Sequence, residues 1–239
     1  MSGLLEVCVD SLASARAAIA GGADRLELCS ALAVGGLTPY AELLRQIRSE
    51  SDIAIRCLIR PRGGDFLYTK EEIRMLATQI ENLRKLGADG FVIGCLNSEG
   101  DLDAAAMEPL LKAAEGAGLT LHRCIDVSRD LCKTYRDAAA LGFDTILTSG
   151  AAPNSLQGME TITTLGLSQT DARRVLYMPW ANREKTEEQA PMTAAYLTAA
   201  EKYNCILAPV GEIWHPLLKQ YPELELYRPD GNHATPLGT

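Results

Sequence analysis

Strand-like and helical segments alternate regularly along all 239 residues of this chain. The strand-like runs are short and apolar, and each is followed by a stretch in which apolar residues recur with helical spacing. The runs lie at 4–9, 25–28, 53–59, 90–94, 119–123, 145–148, 175–178 and 205–210. The helical patterns lie near 11–21, 39–49, 70–86, 102–117, 129–141, 153–166, 187–203 and 212–219. Eight such pairs in about 240 residues predict an α/β fold with a TIM-type (β/α)8 barrel.

A repeated tripeptide supports this interpretation. Gly-Ala-Asp occurs at 22–24 and 87–89, and Gly-Phe-Asp occurs at the equivalent place at 142–144. Glycine commonly ends a helix, and the residues after it here lead into the next strand. The repeat is therefore typical of successive βα units.

The composition argues against several classes of partner. A net charge of −8 and a pI near 5.0 disfavour nucleic acid and anionic membranes, because both repel a net anion. No apolar run approaches the roughly 20 residues that span a bilayer, and the residues before the first strand lack the basic n-region and the cleavage site that are typical of a signal sequence. Seven scattered cysteines without a Cys-x-x-Cys pair indicate reduced thiols, not a disulfide framework or a zinc finger. We therefore expect a cytoplasmic protein.

One loop, Arg60-Pro-Arg-Gly-Gly-Asp-Phe66, combines two guanidinium groups, a carboxylate and two glycines. It follows the third predicted strand and precedes a helix whose N-cap should be Thr69. Ligands of parallel α/β folds bind at the carboxyl ends of the strands. Arg60, Arg62 and Asp65 are therefore candidate ligand-binding residues. The alternative is a solvated turn held by a structural Arg–Asp pair.

Polar residues follow several predicted strands and would converge on the mouth of a barrel. They are Cys8, Asp10, Glu27, Cys29, Arg60, Arg62, Asp65, His122, Arg123, Asp126, Thr148 and Ser149. His122 lies on the fifth predicted strand, and Asp126 lies in the loop beyond it. A histidine with a nearby acid can act as a general base or a metal ligand. A purely structural histidine is equally consistent with the sequence.

Two cysteines should face the same side of neighbouring strands. Strand alternation places Glu6 with Cys8, and Glu27 with Cys29, on one face. Two adjacent thiols near a barrel mouth could bind a soft ion such as Cu(I), which prefers thiolate ligands. The alternative is that both cysteines are small buried hydrophobic residues.

Six segments of the chain carry a family resemblance. They are Glu6-Val-Cys-Val-Asp-Ser11, Gly21-Gly-Ala-Asp-Arg-Leu-Glu-Leu-Cys-Ser30, Gly35-Gly-Leu-Thr-Pro39, Ile59-Arg-Pro-Arg-Gly-Gly-Asp-Phe66, Leu121-His-Arg123 with Asp126, and Ile146-Leu-Thr-Ser-Gly150. Taken in order, they resemble the CutC-type copper homeostasis family over residues 4–166.

The resemblance implies a TIM barrel associated with copper tolerance and with Cu(I) binding by cysteines. It implicates Cys8 and Cys29 as metal ligands. It also implies a ligand pocket formed by Arg60, Arg62, Asp65, His122 and Asp126. One departure is Cys124-Ile125, where the family usually has Ala-Phe, and this adds a third thiol near the pocket.

The last part of the chain departs from this family. The family would continue with Met-Pro-Gly-Gly-Gly, whereas this chain has Met178-Pro-Trp-Ala-Asn. The tail resembles instead the C-terminal part of SGNH (GDSL-type) hydrolases, in which Asp-x-x-His supplies a base and its orienting acid. Here these residues are Asp230 and His233, but the Gly-Asp-Ser nucleophile block is absent. We therefore divide the chain into a CutC-like region, 1–174, and a divergent βαβα tail, 175–239.

Three functions remain as hypotheses. The main one is a cytosolic protein that binds or carries Cu(I) without turnover. The second is a barrel enzyme that acts on a small anionic substrate, and the weakest is a remnant esterase. Strands seven and eight are atypical, so the barrel could be incomplete, and an open strand edge would favour a homodimer.

Overall fold

The computed structural model describes residues 4–155, 157–167, 173–178 and 206–209. Its strands form one parallel sheet in sequential order. They are β1 (Glu6–Val9), β2 (Arg25–Leu28), β3 (Ala54–Leu58), β4 (Gly90–Ile93), β5 (Gly118–Leu121), β6 (Thr145–Leu147), β7 (Arg173–Met178) and β8 (Ile206–Pro209). The helices are α1 (Leu12–Ala20), α2 (Ala41–Glu50), α3 (Lys70–Lys85), α4 (Ala104–Ala113), α5 (Leu131–Ala140) and α6 (Met159–Leu167), with 3-10 turns at Leu32–Val34 and Arg123–Val127.

This architecture confirms the predicted α/β class and gives a curled parallel sheet, a partial TIM-like barrel. β7 and β8 lie at the start of the divergent tail and within it, and they extend the sheet from β6 in parallel register. Among the described residues, no pairing of β8 with β1 closes the barrel. The helices predicted at 187–203 and 212–219 lie outside the described residues. None of the described helices is long and apolar enough to cross a bilayer.

Several predicted boundaries differ from the structure, and two of these differences have a clear physical reason. The fifth strand ends at Leu121 instead of residue 123, because the His122 side chain accepts the N–H of Cys124 and begins a 3-10 turn. The sixth helix begins at Met159 and not at residue 153. The chain after β6 first turns through two residues of positive φ, at 72° for Gly150 and 57° for Ala151, which an α-helix does not accept.

Side-chain capping fixes where α1 and α3 begin. The predicted N-cap Thr69 is confirmed: its hydroxyl accepts the N–H of Glu72, whose carboxylate accepts the N–H of Thr69. Ser11 and Ser14 form the corresponding reciprocal pair at the start of α1. Each pair satisfies backbone donors that a helix leaves free. The loops that precede these helices therefore end at defined points.

The two faces of the sheet differ in chemistry. The face toward the helices is apolar, and Leu26, Ile55 and Phe91 are fully buried in one core with helix residues such as Leu44 and Ile80. The opposite, interior face carries buried polar side chains, namely Glu6, Arg25, Glu27, Arg56, Thr120, His122 and Thr145. Side chains alternate between faces along a strand. Alternation therefore directs the apolar side chains of each strand toward the helices and the buried polar side chains toward the interior.

Arg56 shows how closely the interior is packed. It lies in register with Gly90, and its side chain passes over the two glycines that begin β4 and β5. Its guanidinium donates to Asp144 at 2.9 Å and to the hydroxyl of Thr120. An added Cβ would lie 2.5 Å from an Arg56 nitrogen at Gly118 and 2.9 Å from Arg56 Cγ at Gly90. The two glycines thus make room for a buried cation that links three strands.

Candidate functional site

Cys8 and Cys29 lie together on the interior face, as the alternation predicted. Cys8 is directly opposite Glu27 in the β1–β2 register, and Cys29 follows Glu27 by two residues on the same face. The Cys29 thiol donates to Glu27 Oε1 at 3.7 Å, and the Glu27 charge also acts on the Cys8 thiol. Both thiols therefore lie beside one buried carboxylate.

The surroundings keep these thiols protonated. Desolvation raises the pKa of Cys8 and of Cys29 well above the usual value, and the Glu27 charge raises both further. Burial and the nearby Glu6 charge raise the pKa of Glu27 to about 7. Glu6 itself forms a buried ion pair with Arg25. A cation that binds the two sulfurs at neutral pH must therefore displace protons.

The other described thiols do not extend this pair. Cys57, Cys95 and Cys124 are buried, and Cys132 is exposed on α5. Cys124, the predicted third thiol near the pocket, lies close to Cys95 and Asp126, whose charges help to raise its pKa. Within the described residues, no group of three or more His, Cys, Asp and Glu side chains has the arrangement of a metal site.

Arg60 is buried at the carboxyl end of β3 and anchors two loops. Its Nη1 donates to the carbonyl oxygens of Val34 and Gly36, both at 3.1 Å, and its Nη2 donates to Gly64 O at 3.2 Å. No carboxylate among the described residues forms an ion pair with it, and its buried Nε has no hydrogen-bond partner. The guanidinium is thus fixed in position with its charge uncompensated by an acidic side chain.

Arg62 and Asp65 behave differently. They form an exposed ion pair at 2.9 Å, and Arg62 also binds Glu72 on α3 at 2.7 Å. Both acids have a lowered pKa, with the Arg62 hydrogen bond as the main cause. The structural Arg–Asp pair considered for this loop is therefore present, and it ties the loop to α3.

His122 is buried against the same loop. Its ring lies 4.8 Å from the ring of Phe66, and the Arg60 guanidinium lies over the Phe66 ring at 5.1 Å from its centroid. His122 Nδ1 accepts the N–H of Cys124 at 3.2 Å, so its proton is on Nε2, which is buried and has no partner. Burial and the Arg60 charge lower the pKa of His122 to about 3. The imidazole is therefore a neutral donor.

Asp126 serves as a tie between loops. It accepts hydrogen bonds from the backbone N–H and the hydroxyl of Ser149, from Arg123 Nε at 2.8 Å, and from the Ala151 N–H at 3.2 Å. Burial opposes ionisation, but hydrogen bonds led by those from Thr148 and Arg123 hold its pKa below the usual value. His122 Nδ1 accepts the Cys124 N–H, and His122 Nε2 has no hydrogen-bond partner. His122 and Asp126 therefore do not form a hydrogen-bonded acid–base pair.

Sequence reasoning did not single out Phe66 or Gly94 as site residues. Phe66 was included only as the last residue of the Arg60 loop. Gly94 lies against Cys124 and His122, and a Cβ there would fall 2.5 Å from the Cys124 sulfur and 2.7 Å from His122 Cε1. The available signal was its position directly after β4, on the interior side by alternation, because a glycine there lets neighbouring side chains pack close to the backbone.

A model of the CutC family matches residues 3–182. A family protein CutC of Xylella fastidiosa is 46% identical over 177 residues, which are 74% of this chain and 66% of the relative. A copper homeostasis protein cutC homolog of Caenorhabditis elegans is 44% identical over 159 residues, which are 66% of this chain and 64% of the relative. These matches support the resemblance found in the six segments.

Solved structures agree. A protein described as copper homeostasis protein CutC of Streptococcus agalactiae has a TM-score of 0.74 and 27% identity, and the match covers 86% of this chain and 96% of that one. A 2,3-dimethylmalate lyase has a TM-score of 0.55 at 13% identity over 93% of this chain and 78% of that one, which shows the fold alone. The tail's similarity to SGNH hydrolases receives no support, and Asp230 and His233 lie outside the described residues. The chain belongs to the CutC family.

Proposed function

We propose that this protein acts in copper homeostasis by binding Cu(I) as a cargo between the thiols of Cys8 and Cys29. Relatives named for copper homeostasis support the proposal, since one is 44% identical and another shares the fold at 27% identity. Thiolates are the ligands that Cu(I) prefers. The protein would bind or carry the ion without chemical turnover.

One observation carries this proposal. The Cys29 thiol donates to the Glu27 carboxylate, and Cys8 lies directly opposite Glu27 on the neighbouring strand, so both cysteines lie beside one buried acid on the interior face. Two soft ligands thus lie beside the same anion, which favours a cation electrostatically. Because both thiol pKa values are raised, Cu(I) would replace protons on binding, and its affinity should rise with pH.

The donor set fits Cu(I) better than a harder metal. No third His, Cys, Asp or Glu ligand completes a metal site among the described residues. Two sulfur ligands suit a soft monovalent ion, whereas Zn²⁺ in proteins usually takes four ligands. We place this activity in the cytoplasm, where thiols stay reduced.

We further propose that the tail, 175–239, completes the barrel begun by the CutC-like region, 1–174. β7 and β8 already continue the sheet in parallel register. Pairing of β8 with β1 would remove both open edges, whereas an open edge would favour a homodimer. The remnant esterase is not favoured, because the nucleophile block is absent from the sequence.

The test is a Cu(I) competition titration against a chromophoric chelator, with reduced wild-type protein and the Cys8→Ser/Cys29→Ser variant. We expect one equivalent to bind the wild type, and the variant to bind at least about a hundredfold more weakly, because both sulfur ligands are lost. Cys132→Ser, which changes an exposed thiol on α5, is the matched control and should bind like the wild type. Equal affinities of wild type and double variant would contradict the proposal.

A further inference from the structure

Arg60, Gly94 and His122 lie in one row across three neighbouring strands. The β3–β4 register pairs Leu58 with Val92, so its continuation by two residues pairs Arg60 with Gly94. The β4–β5 register pairs Ile93 with Leu121, so the next step pairs Gly94 with His122. Strands lie about 4.8 Å apart, which places the Arg60 and His122 backbones about 10 Å from each other. By alternation along their strands, all three residues lie on the interior face of the sheet.

The glycine in the middle of this row has no side chain, which lets the His122 ring lie close over the backbone between the two strands. A Cβ on Gly94 would fall 2.5 Å from Cys124 Sγ and 2.7 Å from His122 Cε1, so a larger residue there would displace the imidazole. Phe66 contacts both neighbours, with His122 at 4.8 Å between ring centroids and the Arg60 guanidinium at 5.1 Å from the ring centroid. An aromatic side chain thus forms a shared apolar wall beside the two polar groups.

Each of the two polar side chains holds one buried donor without a partner. The donors are Arg60 Nε and His122 Nε2, and both side chains belong to residues more than nine-tenths buried, with 8% and 4% of their surface exposed. A buried donor that lacks an acceptor costs roughly 1–3 kcal/mol, and more when it is charged. The remaining polar atoms are engaged: carbonyl oxygens hold the Arg60 Nη atoms, and Cys124 N–H holds His122 Nδ1. Both unpartnered donors are therefore held in fixed orientations.

The charge of the row identifies the ligand. Arg60 contributes one positive charge that no carboxylate among the described residues neutralises, and His122 donates as a neutral ring. A carboxylate carries one negative charge and two oxygens, and so matches one cation and two donors. A phosphate dianion would leave excess negative charge in a buried site, which is costly.

We propose that this row binds the carboxylate of a small organic acid. One carboxylate oxygen accepts from Arg60 Nε–H and the other from His122 Nε2–H, while the hydrocarbon part of the acid packs against Phe66. Of the five residues predicted for the pocket, these two bind the ligand. Arg62, Asp65 and Asp126 hold the surrounding loops through the ion pair and hydrogen bonds that they already make.

Propionate is the probe for this site. Saturation-transfer NMR on reduced wild-type protein should show a saturable signal from the propionate methyl group in the millimolar range. Arg60→Gln should weaken binding by about tenfold or more, since it removes the charge and the Nε donor. Arg74→Gln is the matched control, because Arg74 is an exposed arginine on α3 paired with Glu71. It should bind like the wild type.

Because Arg60 also anchors two loops, a second variant keeps the test independent of folding. His122→Phe keeps an aromatic ring beside Phe66 and removes the Nε2 donor, and it should weaken propionate binding by a similar factor. The Cys8→Ser/Cys29→Ser variant should bind propionate normally, which separates this site from the copper site. No saturable signal with wild type, or propionate binding as tight as wild type in folded Arg60→Gln and His122→Phe, would overturn the proposal. Displacement of propionate by lower concentrations of phosphate would overturn the carboxylate assignment.

Discussion

The Glu27 carboxylate is buried beside Glu6, and this position makes its ionisation unfavourable despite the hydrogen bond that it accepts from Cys29. Its pKa is raised to about 7, by burial first and by the Glu6 charge second. A carboxyl group whose folded-state pKa is raised stabilises the fold fully only below its unfolded pKa. That contribution is lost as the pH rises through the folded value. Glu27 should therefore destabilise the protein in neutral and alkaline solution.

Replacing this carboxylate gives a test with a defined sign. Glutamine carries no charge to bury, so Glu27→Gln should gain stability relative to wild type as the pH rises. The free energy of unfolding of the variant minus that of wild type should be about 3 kcal/mol larger at pH 8 than at pH 4.5. Urea unfolding of both proteins at the two pH values measures this. The comparison between pH values cancels any constant effect of the altered hydrogen bonds. A difference that does not change with pH would show that Glu27 has an ordinary pKa.

Gly90 and Gly118 allow the Arg56 side chain to pack close to the backbone of β4 and β5. Gly90→Ala should destabilise the protein by a few kcal/mol, because the new Cβ would fall 2.6 Å from Gly118 O and 2.9 Å from Arg56 Cγ. Gly63→Ala is the matched control, since nothing lies within 4 Å of a Cβ there. Thermal unfolding of the two variants measures the contrast. Equal melting temperatures would contradict the packing described for Arg56.

At the scale of elements, loops determine how the interior residues are held. The 3-10 turn after β5 and the loop after β6 meet at Asp126, which accepts backbone and side-chain donors from the β6 loop and a guanidinium from Arg123. This contact connects two neighbouring βα loops on the side of the barrel where His122 lies. Its loss should loosen both loops together.

Asp126→Ala should therefore lower the free energy of unfolding by about 3 kcal/mol, because several buried donors lose their acceptor. Asp137→Ala is the control: Asp137 is a surface acid on α5 paired with Lys133, and its loss should cost less than about 1 kcal/mol. Chemical denaturation at pH 7 measures both. A cost at Asp126 no larger than that at Asp137 would show that the contact does not stabilise the loops.

The sequence predicted features that depend on period and local chemistry. Alternation along β1 and β2 placed Cys8 and Cys29 on one face, and the Thr69 N-cap followed from its position before α3. The partners of Arg60 could not be predicted, because the carbonyl oxygens that it binds come from the loop after β2 and from Gly64. The late start of α6 could not be predicted either, because it follows from the backbone conformation of the turn after β6.

At the scale of the whole molecule, the sheet separates two kinds of interior. Its outer face packs apolar residues against the helices, so stability does not depend on the inner face alone. The inner face is therefore available for polar groups, with the thiol pair on β1 and β2 and the Arg60–His122 row across β3 to β5. The atypical tail contributes β7 and β8 to the same sheet. We expect the thiol pair to form in the full chain despite the tail's departure from the family pattern.

The most direct test of the copper proposal is X-ray absorption at the copper K-edge on this protein loaded with one equivalent of Cu(I). We expect two sulfur ligands and a two-coordinate edge spectrum, and loss of this signature in the Cys8→Ser/Cys29→Ser variant. Cys132→Ser should give the wild-type spectrum. A first shell of nitrogen or oxygen atoms, or an unchanged sulfur shell in the double variant, would contradict the assignment of Cys8 and Cys29 as the copper site.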